Sequence, residues 1–265
     1  MKKILFLTNK DNGAHEEDEQ LIELLGKDFD LIVSHPLECT PLLPKVEGVI
    51  IRNIWPTHEY ADQWVEISQK IRDSGLPTYN SLAGNGDTKG KDYLLKLYKS
   101  GYPVIPSVDN LKDVELLGHQ EFYWIKPKDS CDGWGSGKYS KNELGNKVLT
   151  DYIIQPYVSF VSEPSFFFID SNFSHAITMP NRLIGERIQV YKPTDEDIVF
   201  AQRFVDWNKL PHGIQRIDAV RTNTGELLLT EVEDLCPYLY VDDLDADTRK
   251  KFLNDIRVSV IKTFN

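Results

Sequence analysis

The segment QRIDAVRTNTGELLLTEVED, which runs from Gln215 to Asp234, decides how the C-terminal part of this chain folds. Two apolar, β-prone runs flank the turn-forming tetrad Thr222–Gly225, so the segment predicts a β-hairpin. Closing the hairpin about this turn places Asp218 opposite Glu231. Glu231 and Glu233 share a face of their strand, because alternate side chains point the same way. We therefore expect three carboxylates to converge on one face of a sheet.

Three converging carboxylates repel one another, which raises their pKa values unless a cation lies among them. Hard oxygen ligands in this number suit Mg²⁺, which proteins usually bind through a few carboxylates and the phosphates of a nucleotide. The alternative is a hairpin that faces solvent and carries acidic side chains without a metal. The chain has 41 acidic residues, so the hairpin alone does not decide between these two interpretations.

Composition excludes several classes of protein. The chain has 265 residues and a formal net charge of −11, which argues against a nucleic-acid partner. It contains no run of about 18 apolar residues, so we expect no membrane span. The cysteines Cys39, Cys131 and Cys236 are odd in number and far apart, which predicts free thiols in a reducing compartment. We therefore expect a cytoplasmic protein.

The N-terminal third alternates between predicted strands and helices. Its apolar runs are typical of buried parallel strands, and the segments between them have helical spacing. This alternation predicts a doubly wound α/β domain. No Gly-x-Gly-x-x-Gly fingerprint follows the first strand, which argues against a dinucleotide site there. The strands are Lys3–Thr8, Asp30–Ser34 and Gly48–Arg52, and the helices are Glu16–Leu25 and a segment that carries Tyr60, Trp64, Ile67 and Ile71.

A second unit begins with a predicted helix, Lys91–Ser100, and continues with a strand, Phe122–Pro127, that carries Lys126. The glycine-rich stretch Lys128–Lys138 follows. Backbone N–H groups of such a loop can cradle phosphate oxygens, although the stretch does not match a Walker motif. A flexible hairpin tip is the alternative. The remaining predicted elements are the strands Tyr152–Val158, Ser165–Asp170 and Ser174–Thr178, and the helices Asp195–Trp207 and Asp245–Phe264.

Short stretches along most of the chain match the motif order of a known family. Gly90-Lys91-Asp92-Tyr93-Leu94 is similar to that family's Asp-Lys-x-Tyr-Leu, with glycine in place of the first aspartate. The other stretches are Arg52–Trp55, Gly101–Ser107, Ile125–Pro127, Gln155–Val158, Glu163–Phe166, Ser174–Ile177, Arg187–Gln189 and Arg216–Pro237. Together they resemble the ATP-grasp ligases, in the branch related to glutathione synthetase and D-cycloserine ligase. Their order and spacing favour the metal-binding interpretation of the hairpin.

The resemblance implies an ATP-grasp fold of three parts, α/β in class and α+β overall. These parts are an N-terminal doubly wound pre-ATP-grasp domain (1–90), a small lid subdomain (91–154), and a C-terminal mixed subdomain with the metal site (155–265). ATP and Mg²⁺ are the implied cofactors. Lys91 and Lys126 would neutralise the α- and β-phosphates, and Asp218, Glu231 and Glu233 would hold Mg²⁺ between the β- and γ-phosphates.

The resemblance also implies how the rest of the nucleotide is bound and how the reaction is catalysed. Gln155 and the backbone of Tyr157 and Val158 would read the adenine edge, and Glu163 would accept from the ribose hydroxyls. Arg187 would be catalytic by stabilising an acyl phosphate and the tetrahedral intermediate that follows. Arg216 would assist catalysis, or it would serve only as the ion-pair partner of the acids beside it.

The implied activity is ATP-dependent carboxylate–amine ligation through an acyl phosphate, with release of ADP and phosphate. The substrates would be a small carboxylic acid and an amine, both resembling amino acids or peptides, and the enzyme could be a homo-oligomer. Cys236 replaces a usual glutamate, and the Arg187 segment continues into Val190-Tyr191 without the family's Gly-Gly loop. Two alternatives therefore stay open: an ATP-binding or regulatory protein without ligase activity, and a phosphotransferase on the same scaffold.

Overall fold

The computed structural model describes residues 1–10, 15–54, 59–129, 133–145, 151–179 and 188–265. Its first sheet is parallel, with strand order β2-β1-β3-β4. Apolar side chains on alternate positions of β1 pack against helices on both faces of this sheet. The predicted doubly wound α/β unit is confirmed. Its elements are β1 (Lys3–Leu7), α1 (His15–Leu25), β2 (Asp30–Ser34), β3 (Gly48–Ile51), α2 (Ala61–Asp73) and β4 (Thr78–Tyr79).

The second sheet is small and antiparallel, with strand order β6-β5-β7. Tyr123 and Ile125 of its central strand pack in a buried cluster with Val114 and Leu144. Lys126 follows on the opposite face, because side chains alternate along a strand. The elements are α3 (Tyr93–Lys99), β5 (Phe122–Pro127), β6 (Gly137–Ser140), α4 (Lys141–Gly145) and β7 (Tyr152–Pro156).

Several boundaries in this unit differ from the sequence-based expectation; β7, for example, ends at Pro156 rather than at Val158. Two differences concern residues expected to bind phosphate. The helix begins at Tyr93 rather than at Lys91, so Lys91 lies in the turn before it. Gly137 and Lys138 belong to strand β6 and pair with Ile125 and Trp124, although we expected them in the glycine-rich loop. Residues 130–132 in the middle of that loop lie outside the described residues. Strand pairing extends β6 to Gly137, because glycine can adopt extended geometry as readily as loop geometry.

The third sheet is antiparallel and has strand order β10-β9-β8-β11-β12. Helix α5 packs on one face through Phe200 and Phe204, and helix α6 packs on the other through Phe252 and Ile256. The buried cluster under α6 also contains Ile4 of β1, so this helix joins the third sheet to the first. The elements are β8 (Phe160–Ile169), β9 (Asn172–Met179), β10 (Gln189–Tyr191), α5 (Asp195–Asn208), β11 (Ile214–Thr222), β12 (Leu227–Glu233) and α6 (Ala246–Phe264).

The hairpin predicted between Gln215 and Asp234 is confirmed as β11 and β12. The amide of Gly225 donates to the Thr222 carbonyl at 3.0 Å and closes the turn. Gly225 has a φ of +90°, a conformation that glycine adopts without a steric penalty. Asp218 pairs with Glu231 as expected, and the register then shifts between Asp218 and Ala219. The bulge lies directly beside the carboxylates.

Two expectations drawn from composition can be compared with the structure. None of the helices in the described ranges is both long enough and apolar enough to cross a bilayer. Cys39 and Cys236 are free thiols, and burial raises the pKa of Cys39 to about 11 and that of Cys236 to about 12. Cys131 lies outside the described residues. Since the thiolate is the reactive form, the two described cysteines are chemically quiet at neutral pH.

Candidate active site

The three carboxylates of the hairpin meet where the C-terminal end of β12 pairs with the middle of β11. One oxygen each from Asp218, Glu231 and Glu233 lies within 4.8 Å of the other two. The pairing of Asp218 with Glu231 brings two of them together across the strands, and the two-residue strand repeat adds Glu233. The predicted convergence is therefore confirmed. All three side chains are partly buried, so their mutual repulsion is only weakly screened by water.

Arg216 is the main cationic partner of two of these acids. Its Nε and Nη2 atoms donate to both oxygens of Asp218 at 2.9–3.1 Å, and Nη2 also donates to Glu233. Nη1 donates to the carbonyl of Tyr238 at 2.9 Å, and the guanidinium carbon lies 5.5 Å from the centre of the Tyr240 ring. This is the ion-pair arrangement that the sequence left open. A catalytic role for Arg216 stays a prediction.

Two lysines from different parts of the chain meet the third acid, Glu231. Lys91 Nζ lies 3.3 Å from Oε2 and Lys126 Nζ lies 3.1 Å from Oε1. Lys126 comes from β5 of the second sheet, and its ammonium also donates to the Thr230 carbonyl at 3.3 Å. Burial by itself would raise the pKa of Glu231, but the two ammonium groups outweigh it and lower the pKa to about 2. Glu231 is therefore a carboxylate at any physiological pH.

Asp87 also belongs to this cluster, and the sequence reasoning missed it. Its Oδ2 accepts from Lys91 Nζ at 3.3 Å, four residues along the chain. Its Oδ1 is buried and has no hydrogen-bond partner among the described residues. Burial raises the pKa of Asp87 to about 6, against the attraction of Lys91 and with the repulsion of Glu231 and Asp234. The i,i+4 spacing to Lys91 was the only sequence signal that could have pointed to it.

Asp234 fastens the loop that carries Asp87 and Lys91 to the end of β12. Its carboxylate accepts from the amide of Gly86 at 3.0 Å and from the amide and hydroxyl of Thr88 at 2.8 Å. A Cβ at Gly86 would lie 2.5 Å from the Val232 carbonyl, so only glycine permits this approach. Asp234 is fully buried. Asp234 therefore sets the positions of Asp87 and Lys91 relative to the three carboxylates that could bind a metal.

The chemistry of this donor set fits Mg²⁺. Four carboxylates, Asp87, Asp218, Glu231 and Glu233, contact three cations, Lys91, Lys126 and Arg216, and the atoms that could bind a metal are all hard oxygens. Burial raises the pKa of Glu233 well above its usual value, and the neighbouring carboxylates add to the effect while Arg216 opposes it. An excess of buried negative charge raises carboxylate pKa values in this way unless a cation compensates it. Asp218, Glu231 and Glu233 would hold the ion.

Comparison with known proteins finds matches by structure but none by sequence. No family model and no curated protein sequence matches the chain. Solved structures match it over almost its whole length. The D-cycloserine synthetase DcsG is 18% identical, with a TM-score of 0.77 over 99% of this chain and 100% of that one. The chain has the ATP-grasp fold.

Other ATP-grasp ligases give the same result. The D-alanine–D-alanine ligase of Bacillus anthracis, solved with ATP, has a TM-score of 0.71 at 13% identity over 100% of this chain and 98% of its own. The ATP-grasp ligase PsnB, solved with a precursor variant, Mg and ADP, has a TM-score of 0.66 at 12% identity over 99% and 98%. The expected likeness to the D-cycloserine ligase branch is confirmed for the fold. At these identities, function has to be argued from the site itself.

The residues expected to bind adenine lie on β7 and in the two positions that follow it in the chain. Gln155 pairs with Trp124 of β5, is almost fully buried, and donates from Nε2 to Ser107 Oγ at 2.9 Å. The amide of Tyr157 donates to the Phe122 carbonyl at 3.0 Å, and the residue is 41% exposed. Val158 is partly buried. Among the described residues, no hydrogen bond joins Gln155, Tyr157 or Val158 to the carboxylates, so these residues form a separate part of the site.

The remaining predicted ATP-grasp residues are Glu163 and Arg187. Glu163 lies on β8, two residues before Ser165, and Ser165 pairs with Asp218. Glu163 therefore shares the face of the sheet on which the carboxylates lie. Arg187 lies outside the described residues. The structure thus brings Lys91, Lys126, Arg216 and the three acids together, and it places Glu163 on the same side.

Proposed function

We propose that this protein is an ATP-dependent carboxylate–amine ligase. The observation that carries the proposal is the meeting of Lys91 and Lys126 with Glu231, beside Asp218 and Glu233. These groups come from three separate parts of an ATP-grasp fold, and together they supply cations for phosphate oxygens and carboxylates for a divalent metal. Two buried ammonium groups would not be expected to contact one partly buried carboxylate without a function, since burying a charge costs free energy unless it is paired.

The nucleotide would lie between the second and third sheets. Lys91 and Lys126 would exchange part of their contact with Glu231 for the α- and β-phosphates, while Gln155, Tyr157 and Val158 would bind adenine and Glu163 the ribose. When bound at Asp218, Glu231 and Glu233, Mg²⁺ would neutralise charge on the phosphoryl group. The corresponding parts of the chain are the N-terminal domain 1–90, the lid 91–154 and the C-terminal subdomain 155–265.

The reaction would proceed in two steps. A substrate carboxylate oxygen bonds to the γ-phosphorus of ATP, the bond from that phosphorus to the β–γ bridging oxygen breaks, and ADP leaves. The amine nitrogen then bonds to the acyl carbon and loses a proton, and phosphate leaves with one of the original carboxylate oxygens. We propose that Arg187 stabilises the negative charge of both steps. The chain's own cations, Lys91 and Lys126, would keep ATP in line for the first step.

We further propose that the acid and the amine resemble amino acids or short peptides. In support, the structurally similar proteins include a D-alanine–D-alanine ligase and a ligase from Chryseobacterium gregarium solved with ADP and a leader and core peptide. The latter has a TM-score of 0.68 at 14% identity over 99% of this chain and 97% of its own. We propose a cytoplasmic location, which suits an ATP-consuming enzyme with free thiols.

The decisive experiment follows one oxygen atom. Amino acids and dipeptides are first screened for stimulation of ADP release. A stimulating acid is then labelled with ¹⁸O in its carboxyl group, and mass spectrometry should find one label in the released phosphate. Hydroxylamine should trap the acyl phosphate as a hydroxamate when the amine is withheld. ADP release without label transfer would rule out carboxylate activation, and ATP binding without ADP release for any acid would favour the regulatory alternative.

A further inference from the structure

A groove of about 860 Å³ lies between helices α3 and α5. One wall is formed by residues from the stretch 85–103, among which Asp87 and Lys91 are not included, and the other by residues from the stretch 203–209. The volume falls within the range of roughly 300–1,000 Å³ that small-molecule sites occupy. The groove is large enough for a ligand, and none of the functions proposed above uses it.

The groove concentrates positive charge in an acidic protein. Four cationic side chains line it, Lys89, Lys96, Arg203 and Lys209, against two acidic ones, Asp92 and Asp206, although the whole chain has a net charge of −11. Like charges that share a groove repel one another, and an anionic ligand would relieve that repulsion. The net charge of the groove lining is therefore opposite in sign to the net charge of the chain.

The acids in the groove wall are already engaged elsewhere. Asp92 pairs with Lys128 at 2.7 Å, and Asp206 accepts from Gln202 at 2.9 Å. By contrast, the side chains of Lys96, Arg203 and Lys209 make no ion pair with any residue in the described parts of the chain. Neither groove acid forms an ion pair with these three side chains, so their donors stay available to a ligand.

Aromatic side chains form an apolar part of the same groove. Trp207 is partly buried and packs on Tyr93, with ring centres 5.5 Å apart and planes tilted by 42°. The Tyr93 hydroxyl accepts from the Val232 amide at 2.7 Å. Val232 packs in the same buried cluster as Tyr93, whereas its neighbours Glu231 and Glu233 point to the other face of β12. The groove is thus separated from the carboxylates by the sheet.

From this geometry we propose that the groove binds a small multivalent oxyanion, either a polycarboxylate or a phosphorylated compound. Arg203 would bind one anionic group through its planar fork, and Lys96 and Lys209 would bind others as point charges. Trp207 would contact the apolar part of the ligand. The proposal does not rest on the proposed ligase activity, because the groove lining includes none of the residues assigned to ATP.

Calorimetry with two probes tests the proposal and distinguishes the two chemistries. Citrate represents polycarboxylates and tripolyphosphate represents phosphorylated compounds. The wild-type protein should bind at least one of them, more weakly as salt is added. Each of K96A, R203A and K209A should weaken binding about fivefold and the triple variant roughly a hundredfold, as expected for charge-assisted contacts at the surface. These side chains are exposed, so the variants should fold normally.

Two controls make the outcome decisive. The triple variant K45A/K112A/K262A removes the same charge from exposed lysines outside the groove and should bind the probes as the wild type does. Lys126→Ala, which removes the ammonium that contacts Glu231 in the proposed ATP site, should leave citrate binding unchanged. The proposal is overturned if neither probe binds, if the control triple loses as much affinity as the groove triple, or if Lys126→Ala abolishes binding that the groove triple retains.

Discussion

Replacing Glu231 with glutamine tests the candidate active site most directly. Glutamine keeps the size of the side chain and removes its charge, which leaves Lys91 and Lys126 without the carboxylate that lies 3.3 Å and 3.1 Å from their ammonium groups. If the proposed site is correct, the substitution removes a metal ligand and should lower kcat by at least ~100-fold, as loss of one transition-state contact does. Gln155 is untouched, so adenine binding should persist.

The expected loss of stability follows from the same contacts. At these distances each pair attracts by about 5 kcal/mol with an effective dielectric constant of ~20. The substitution also removes the desolvation cost of the carboxylate, so the net loss is much smaller than the sum. Breaking a buried pair from one side costs about 3–5 kcal/mol, and Glu231 keeps 19% of its side-chain surface exposed. We therefore expect the substitution to lower the free energy of unfolding by about 3 kcal/mol, which corresponds to a fall in Tm of roughly 6–12 °C.

Differential scanning fluorimetry and urea unfolding measure this loss, and ADP release measures turnover. Glu226→Gln is the matched control, because Glu226 is exposed on the same hairpin and should change Tm very little. ATP without metal should recover part of the stability of Glu231→Gln, since its phosphates would neutralise the two stranded lysines. A Glu231→Gln protein with the Tm and turnover of the wild type would refute the reasoning and favour the alternative, a hairpin that carries acidic side chains without a metal.

Three further predictions concern other parts of the molecule. Lys126→Ala should raise the Kd for Mg·ATP, measured by calorimetry, about tenfold. Lys138→Ala should raise it less than threefold, because Lys138 is exposed and lies over the Phe122 and Tyr157 rings. Equal effects of the two substitutions would contradict our placement of the lid. Burial lowers the pKa of His175 to about 4, so the unfolded chain takes up a proton that the folded protein excludes, and stability should fall by up to ~3 kcal/mol as the pH drops from about 6.5 to 4. His175→Phe should remove this slope in urea unfolding, and an unchanged slope would show that another group is responsible. Arg52→Lys should lower the free energy of unfolding by about 3 kcal/mol, because Arg52 is buried and its planar guanidinium donates to two acids and to the Pro237 carbonyl, a geometry that lysine cannot reproduce. A loss below about 0.5 kcal/mol would mean that this network contributes little to stability.

Local patterns in the sequence were sufficient for the fold class and for half of the site. Turn residues at Thr222–Gly225 and the two-residue strand repeat are local properties, and they determine that Asp218 pairs with Glu231 and that Glu233 lies on the same face. The same alternation buried Tyr123 and Ile125 and turned Lys126 to the other face of β5. Such patterns transfer directly to structure because strand geometry leaves few alternatives.

Only the tertiary structure decided which side chains become partners across the chain. Nothing near Asp87 in the sequence indicates that it shares the Lys91 ammonium with Glu231. That arrangement depends on Asp234, which is 146 residues from Thr88 and fastens the loop of Asp87 to β12. The packing of α6 against the first sheet and the cationic groove between α3 and α5 likewise require elements distant in sequence. The physical reason is that hydrogen-bond and charge partners are selected by the packing of whole elements, whereas strand alternation and turn formation depend on neighbouring residues alone.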